Sequence, residues 1–274
     1  MTLRPLYLLL AIAINAAAAA GALWRRAVTP DGALAGFLVG AVTLYFGGFF
    51  FWAMLMLFFV SSTIASRTGA IRKASLARIH EKDDRRDAVQ VLANGGVSAA
   101  ALVLSGVIRE PAFAVAAAAG FASVNADTWA SELGVLSSSP PRSIITRNRL
   151  PPGASGGVTW MGTLASVGGS ALIGLWFTAG ILIQRSPPEG DPMTGYGLGP
   201  LVALLIVVTA GALGSIVDSV LGATIQAQYR EPDGSFTERR MSGPESNELV
   251  RGYRVVTNDA VNFLSSLAAA AIAG

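Results

Sequence analysis

The chain has 274 residues, 52% hydrophobic and only 14% charged, with a mean hydropathy of +0.54. Soluble domains carry about 25% charged residues, so this composition points to a helical protein that crosses a membrane several times. With no cysteine, a disulfide framework, an iron–sulfur cluster and a thiolate nucleophile are excluded, and the lone His80, in a charged stretch, argues against a histidine zinc site or catalytic triad.

The first apolar run, Leu6 to Leu23, has Arg4 before it and Arg25 and Arg26 after it, and reads as a retained span rather than a signal peptide. Thr29-Pro-Asp-Gly32 is a turn signal. Ala33 to Phe46 and Phe49 to Ala65 follow, separated by Gly47-Gly48, and read either as two spans or as a re-entrant pair. A basic stretch from Arg67 to Asp87 leads into a span from Ala88 to Ile108 that opens with Gln90, Asn94, Gly95 and Gly96. After the reversal Arg109-Glu-Pro111, a central helix continues to Gly134. Val158 to Ile183, Pro200 to about Gln226 and Asn258 to Ala273 complete eight expected crossings, with charged loops over 135–157 and 227–257. The expectation is one all-α integral-membrane domain over residues 1–274.

Placing the three long basic loops on one side puts 17 of the 20 Lys/Arg there and leaves Arg4, Arg109 and Arg185 opposite. By the positive-inside rule that side is cytoplasmic, and both termini lie outside, in a bacterial cytoplasmic (inner) membrane.

Unusual polar residues gather in the span ends next to those loops. The central helix carries Ser123, Asp127 and Ser131 at i, i+4, i+8, with Glu132 beside them. A carboxylate inside a span costs about 3 kcal/mol on insertion scales, so such residues point to function unless they are solvated at the interface. Gly211, Ser215, Asp218, Gly222 and Gln226 make a stripe at the end of the seventh span. Asn258, Asn262 and Ser265 or Ser266 make another at the start of the eighth, with Asp259 flanking. Four helices thus offer oxygen ligands at one depth. Oxygen ligands without His or Cys suit Mg²⁺, Mn²⁺ or Ca²⁺, and Mg²⁺ usually arrives with substrate phosphates. Pro151-Pro-Gly-Ala-Ser-Gly-Gly157, leading into a helix, fits either an anion cradle or an ordinary tight loop; no Gly-Lys-Ser/Thr follows, so it is not a Walker A loop. Arg142, Arg147 and Arg149 nearby suit phosphate, and suit topology equally. A likeness between Pro30 to Gly40 and Pro152 to Gly162 hints at a duplication of the kind found in transporters.

The ordered series Gln90-Val-Leu-Ala-Asn94-Gly-Gly96, Ala126-Asp-Thr-Trp-Ala-Ser-Glu-Leu-Gly134, Pro141-Arg142 with Pro152-Gly-Ala-Ser-Gly-Gly157, Gly214-Ser-Ile-Val-Asp-Ser-Val-Leu-Gly-Ala-Thr-Ile-Gln226 and Asn258-Asp-Ala-Val-Asn262 resembles the transmembrane protein 19 family over nearly the whole chain. That integral-membrane group includes the plant phytyl-phosphate kinases. The resemblance implies a kinase that converts a prenyl monophosphate to the diphosphate, with CTP as donor and Mg²⁺ (or Mn²⁺) as cofactor. The partners it implies are a lipid phosphate, a nucleotide and the bilayer, with no nucleic acid and the oligomeric state left open. On that reading Asp127, Glu132 and Asp218 hold the metal, and Arg86 and Arg142 neutralise developing charge. The substrate-binding set is Asn94, Gly153, Ser155, Gly156, Gly157, Ser215, Asn258 and Asn262. The acceptor phosphate supplies the attacking oxygen, so no His or Ser base is needed. A transporter or flippase of an anionic or isoprenoid substrate is the alternative, supported by the Gly47-Gly48 break.

Overall fold

A computed structural model describes residues 5–68, 85–183, 199–242 and 244–274. Arg72, Lys73, Arg78, Lys82 and His80 of the basic stretch lie outside the described residues, as do Arg4 and Arg185. The described chain is mostly helical: α1 (Pro5–Trp24), α2 (Pro30–Arg67), α3 (Ala88–Ile108), α4 (Ala112–Gly134), α5 (Trp160–Ile183), α6 (Pro200–Thr224) and α7 (Asn258–Ala273). Among the described residues, α2, α3, α5 and α6 are long and apolar enough to cross a bilayer. Leu38, Val107, Leu164 and Leu205 are all more than half exposed on the outside of the bundle, where only lipid suits them.

The long helix α2 is not straight. Gly48 has φ 71° and ψ −178°, a conformation open only to glycine, and the chain turns back there. Two contacts establish the reversal. Trp52 Nε1 donates to Asn15 Oδ1 at 3.0 Å, and Gly40 packs on the same Asn15 carbonyl. A straight helix would hold residues 40 and 52 about 18 Å apart. Likewise Arg86 pairs through its backbone with Ala27 and Thr29, while its guanidinium donates to Thr63 Oγ1 at 3.2 Å. The turn meets Leu102 and lies beside Gly106, which packs on Phe46, so both arms run the length of α3.

Local sequence sets the helix ends. Thr29 caps α2 with Pro30 at its first position, and Asp87 and Gln90 form a reciprocal capping box on α3. Gln90, one of the unusual polar residues of its span, is therefore accounted for by the cap. Arg109, in the left-handed region, closes α3 and starts the reversal into α4.

At the centre is α4, whose residues Ala114 to Ala126 are all buried. It touches α2, α3, α5, α6 and α7. Its alanines and serines let neighbours approach closely: a Cβ added at Gly211 or Gly214 of α6 would strike Ala122 or Ser123, and one at Gly169 of α5 would strike the Asn125 carbonyl. Membrane helices associate through such small-residue contacts, since lipid leaves little hydrophobic driving force. Asn125 accepts from Ser61 and Ser62 and donates to the Gly169 carbonyl at 2.8 Å.

The expectation of an all-α chain needs one correction. The charged loop after α6 is folded: β3 (Gln228–Arg230) pairs with β4 (Phe236–Thr237) and β7 (Glu248–Arg251), and β5 (Met241–Ser242) pairs with β6 (Glu245–Ser246). A smaller ladder, β1 (Arg142–Ser143) with β2 (Gly157–Val158), closes the loop between α4 and α5. Both lie at the end of the bundle where α4 and α6 finish and α7 starts, while Gly274 packs on Ala112 and Ala116 at the other end.

Candidate functional site

Helices α4 and α6 run in the same direction, and their register places the site. Ser123 meets Gly214, with no room for a side chain at the glycine. One turn further along both helices come Asp127 and Asp218. The two carboxylates are electrostatic neighbours, and Glu238 of the β-ribbon acts on Asp218 as well. Ser215 Oγ approaches Asp127 Oδ1 at 3.5 Å, and Ser265 Oγ donates to Asp218 Oδ2 at 3.2 Å, so α7 joins the pair from the third side. The whole polar stripe of α6 faces this region. Gly211 and Ser215 meet α4, the Gly222 carbonyl accepts from Arg251 at 2.9 Å, and Gln226 Nε2 donates to Glu238 Oε1 at 2.8 Å.

The glycine-rich loop sits beside it. Gly156, at φ 78°, lies directly on Ala223, where a Cβ would overlap the helix backbone. Gly153 is also left-handed, at φ 81°. Ser155 Oγ donates to Glu238 Oε1 at 2.6 Å, and Arg251 Nη2 donates to the Ser155 carbonyl at 3.4 Å. The Gly157 N–H is taken by the Ala154 carbonyl, and Thr159 caps the start of α5 through the Gly162 N–H. The loop is thus tied to the ribbon and to the end of α6. Burial lowers the pKa of the Arg251 guanidinium, and Glu238 opposes that shift.

Two expected members lie elsewhere. Glu132 follows Asp127 by five residues, about 140° further round the helix. It faces α2, where it accepts from Ser66 Oγ at 2.8 Å and balances Arg86. Arg86 is packed over the Phe59 ring, 5.3 Å from its centroid; burial lowers its pKa and Glu132 raises it. Asp127, Glu132 and Asp218 therefore do not form one ligand set. Among the described residues, no group of three or more His, Cys, Asp or Glu is placed to hold a metal. Arg142 is exposed, and its guanidinium donates to the Arg147 carbonyl of its own loop at 3.1 Å. The arginine beside Glu238 is Arg251.

Of the amides, Asn94 has a buried Oδ1 without a partner among the described residues, Asn262 is half-buried one turn from Ser265, and Asn258 opens α7. Asn258 also lines a cavity of about 210 Å³ between the ribbon and the end of the bundle, with Gln226, Glu238, Arg240, Arg254 and Thr257. Sequence reasoning missed Glu238, Arg240, Arg251 and Arg254. Gln226 was the available pointer, as the last member of the α6 stripe and the residue that hands it on to Glu238.

Comparison with known proteins agrees with this architecture. The chain matches the family described as integral membrane protein DUF92 over residues 13–270. It is 32% identical to Protein PGR of Arabidopsis thaliana over 279 aligned positions, covering 95% of this chain and 92% of that protein. It is 30% identical to an uncharacterized membrane protein of Methanocaldococcus jannaschii, covering 73% and 76% respectively. No solved structure matches. With nearly its whole length matched, the chain belongs to the DUF92 family of integral membrane proteins, the group its motifs resemble under the name transmembrane protein 19.

Proposed function

We propose that the chain is a CTP-dependent kinase that phosphorylates a prenyl monophosphate, of phytyl or polyprenyl type, to the diphosphate at the cytoplasmic face of a membrane it crosses eight times. The observation that carries this reading is the pairing of Asp127 and Asp218 at the end of the bundle that also bears the β-ribbon and the glycine-rich loop. Two facing carboxylates beneath arginine-bearing loops suit phosphoryl transfer, where charge neutralisation and alignment do most of the work. The proposed eight crossings count both arms of α2 separately, each about 27 Å long and near the thickness of a hydrocarbon core.

Two carboxylates are too few for an all-protein cation cage, but they fit Mg²⁺, which commonly takes one or two carboxylates and completes its shell with water and substrate phosphate. Asp127 and Asp218 would hold it, and the ion would supply charge neutralisation for the phosphates. Ser215 and Ser265 hold the two carboxylates in place by hydrogen bonding. Arg251, fixed between the Gly222 and Ser155 carbonyls, keeps positive charge beside Glu238 at the end of α6. The Ser66–Glu132 hydrogen bond ties α2 to α4 and takes no part in the reaction on this reading.

The test offers purified protein in detergent with Mg²⁺ labelled CTP or ATP together with phytyl, geranylgeranyl or longer prenyl monophosphates. Labelled prenyl diphosphate supports the kinase and selects the donor. A transporter of an isoprenoid or anionic substrate is the second reading, favoured by the fold-back at Gly48 and by the buried hydroxyls of Ser98, Ser123 and Ser266, which have no hydrogen-bond partner among the described residues. Prenyl-phosphate binding without turnover by any donor would select it.

A further inference from the structure

The cavity between the β-ribbon and the start of α7 is lined by neither member of the carboxylate pair, though it shares Glu238 with that site. Its charged lining consists of Arg240, Arg254 and Glu238. Glu238 is already engaged, accepting from Ser155 and Gln226 and facing Arg251. Neither Arg240 nor Arg254 has an acidic partner among the described residues, although a ribbon arginine outside the cavity, Arg230, does pair, with Glu248 at 3.6 Å. Both arginines are exposed and line the same concave space. The first turn of α7 adds to it, with Thr257 capping the Ala260 N–H and Asn258 presenting its amide at the rim. A helix of sixteen residues also directs the positive end of its dipole there.

Size and polarity narrow the ligand. Drug-sized ligands occupy about 300–1,000 Å³, and this cavity holds about 210 Å³. That is too small for a whole nucleoside triphosphate or a prenyl chain, and apart from Ala227 and Tyr229 its lining is polar or charged. It suits a compact multiply charged anion, which two arginines grip through paired N–H···O bonds. We infer that the ribbon cavity is a binding site for a diphosphate group, with Arg240 and Arg254 as its two arms. The group has two sources, the phosphate chain of a nucleotide or the head of a prenyl diphosphate, and in either case the rest of the molecule stays outside the cavity. This stands on the cavity alone and is read by binding rather than turnover, so it is tested independently of the proposed reaction.

The experiment titrates inorganic diphosphate, CTP and geranyl diphosphate, each without Mg²⁺, into the purified full chain in detergent, using calorimetry. The same titrations are run on the double variant Arg240→Gln/Arg254→Gln and on Arg230→Gln, which removes one positive charge from the same ribbon but outside the cavity. Inorganic diphosphate should bind the wild-type chain, with Kd raised at least thirtyfold in the double variant and less than threefold in Arg230→Gln. Whichever of CTP and geranyl diphosphate binds more tightly than inorganic diphosphate, and loses that affinity in the double variant, is the natural source. A thermal melt matching wild type establishes that the double variant is folded. Absence of diphosphate binding by the wild-type chain would overturn the inference, as would an unchanged Kd in a folded double variant or an equal loss in Arg230→Gln.

Discussion

Ser155 donates a 2.6 Å hydrogen bond to Glu238, 83 positions later in the chain, and this contact joins the glycine-rich loop to the β-ribbon. Gln226 and Arg251 converge on the same carboxylate, from the end of α6 and from β7. Glu238 is therefore the knot that holds the polar end of the bundle closed. Replacing Glu238 with Ala should release the ribbon, since charge-assisted hydrogen bonds contribute about 1.5–3 kcal/mol. Amide exchange over residues 226–257 should quicken at least tenfold while the helices α3 to α5 keep their protection. Unchanged exchange in the ribbon would mean that the knot is not what holds it.

The separation of Glu132 from Asp127 makes a sharper prediction. On the observed geometry Glu132 stabilises α2 against α4 through Ser66 and Arg86. Glu132→Gln should lower the thermal midpoint and leave turnover within about threefold of wild type. Removing one partner of a buried pair costs about 3–5 kcal/mol at most, and less where, as here, the arginine is only partly buried. A collapse of turnover without loss of stability would restore Glu132 to the reacting centre.

Gly48 gives a backbone test. Its φ of 71° with ψ near 180° belongs to a region open essentially to glycine, at a cost of about 1–3 kcal/mol for other residues. Gly48→Ala should therefore destabilise the protein in detergent by that order, whereas Gly36→Ala, with nothing within 4 Å, should be neutral or slightly stabilising. Equal effects at the two positions would argue against a turn at residue 48.

Helix packing gives the fourth. A Cβ at Gly214 would collide with Ser123, and the surrounding Ala269 leaves no direction in which to yield. Gly214→Val should separate α4 from α6 and cost more than the roughly 1–3 kcal/mol of ordinary overpacking, seen as a lower melting temperature. A wild-type melt would contradict the parallel register that sets Asp127 against Asp218.

These contrasts also mark how far the sequence alone carries. The α6 stripe was legible because its polar and glycine positions recur with helical period inside an otherwise apolar run, and the structure has every member facing the site region. The Gly47-Gly48 break was legible as a break, while the direction of the chain after it needed the contacts of Asn15 and Arg86. Glu132 misled because neighbouring acids on a helix look alike until the angle between them is counted. Arg142 misled because a loop charge carries no sign of where its side chain turns. The β-ribbon was invisible because its strands are two to four residues long, too short to show alternation, and with it went Glu238 and Arg251.

The most direct test of the account is turnover by Asp127→Asn and Asp218→Asn. Each is compared with wild type for transfer of label from CTP to a prenyl monophosphate, in preparations matched for melting temperature. Both variants keep the shape of the side chain and its contact with Ser215 or Ser265, and remove only the charge. The account predicts that each loses at least a hundredfold in rate with its fold intact. A variant of either residue that turns over at a near-normal rate would contradict the claim that this pair is where the chemistry happens.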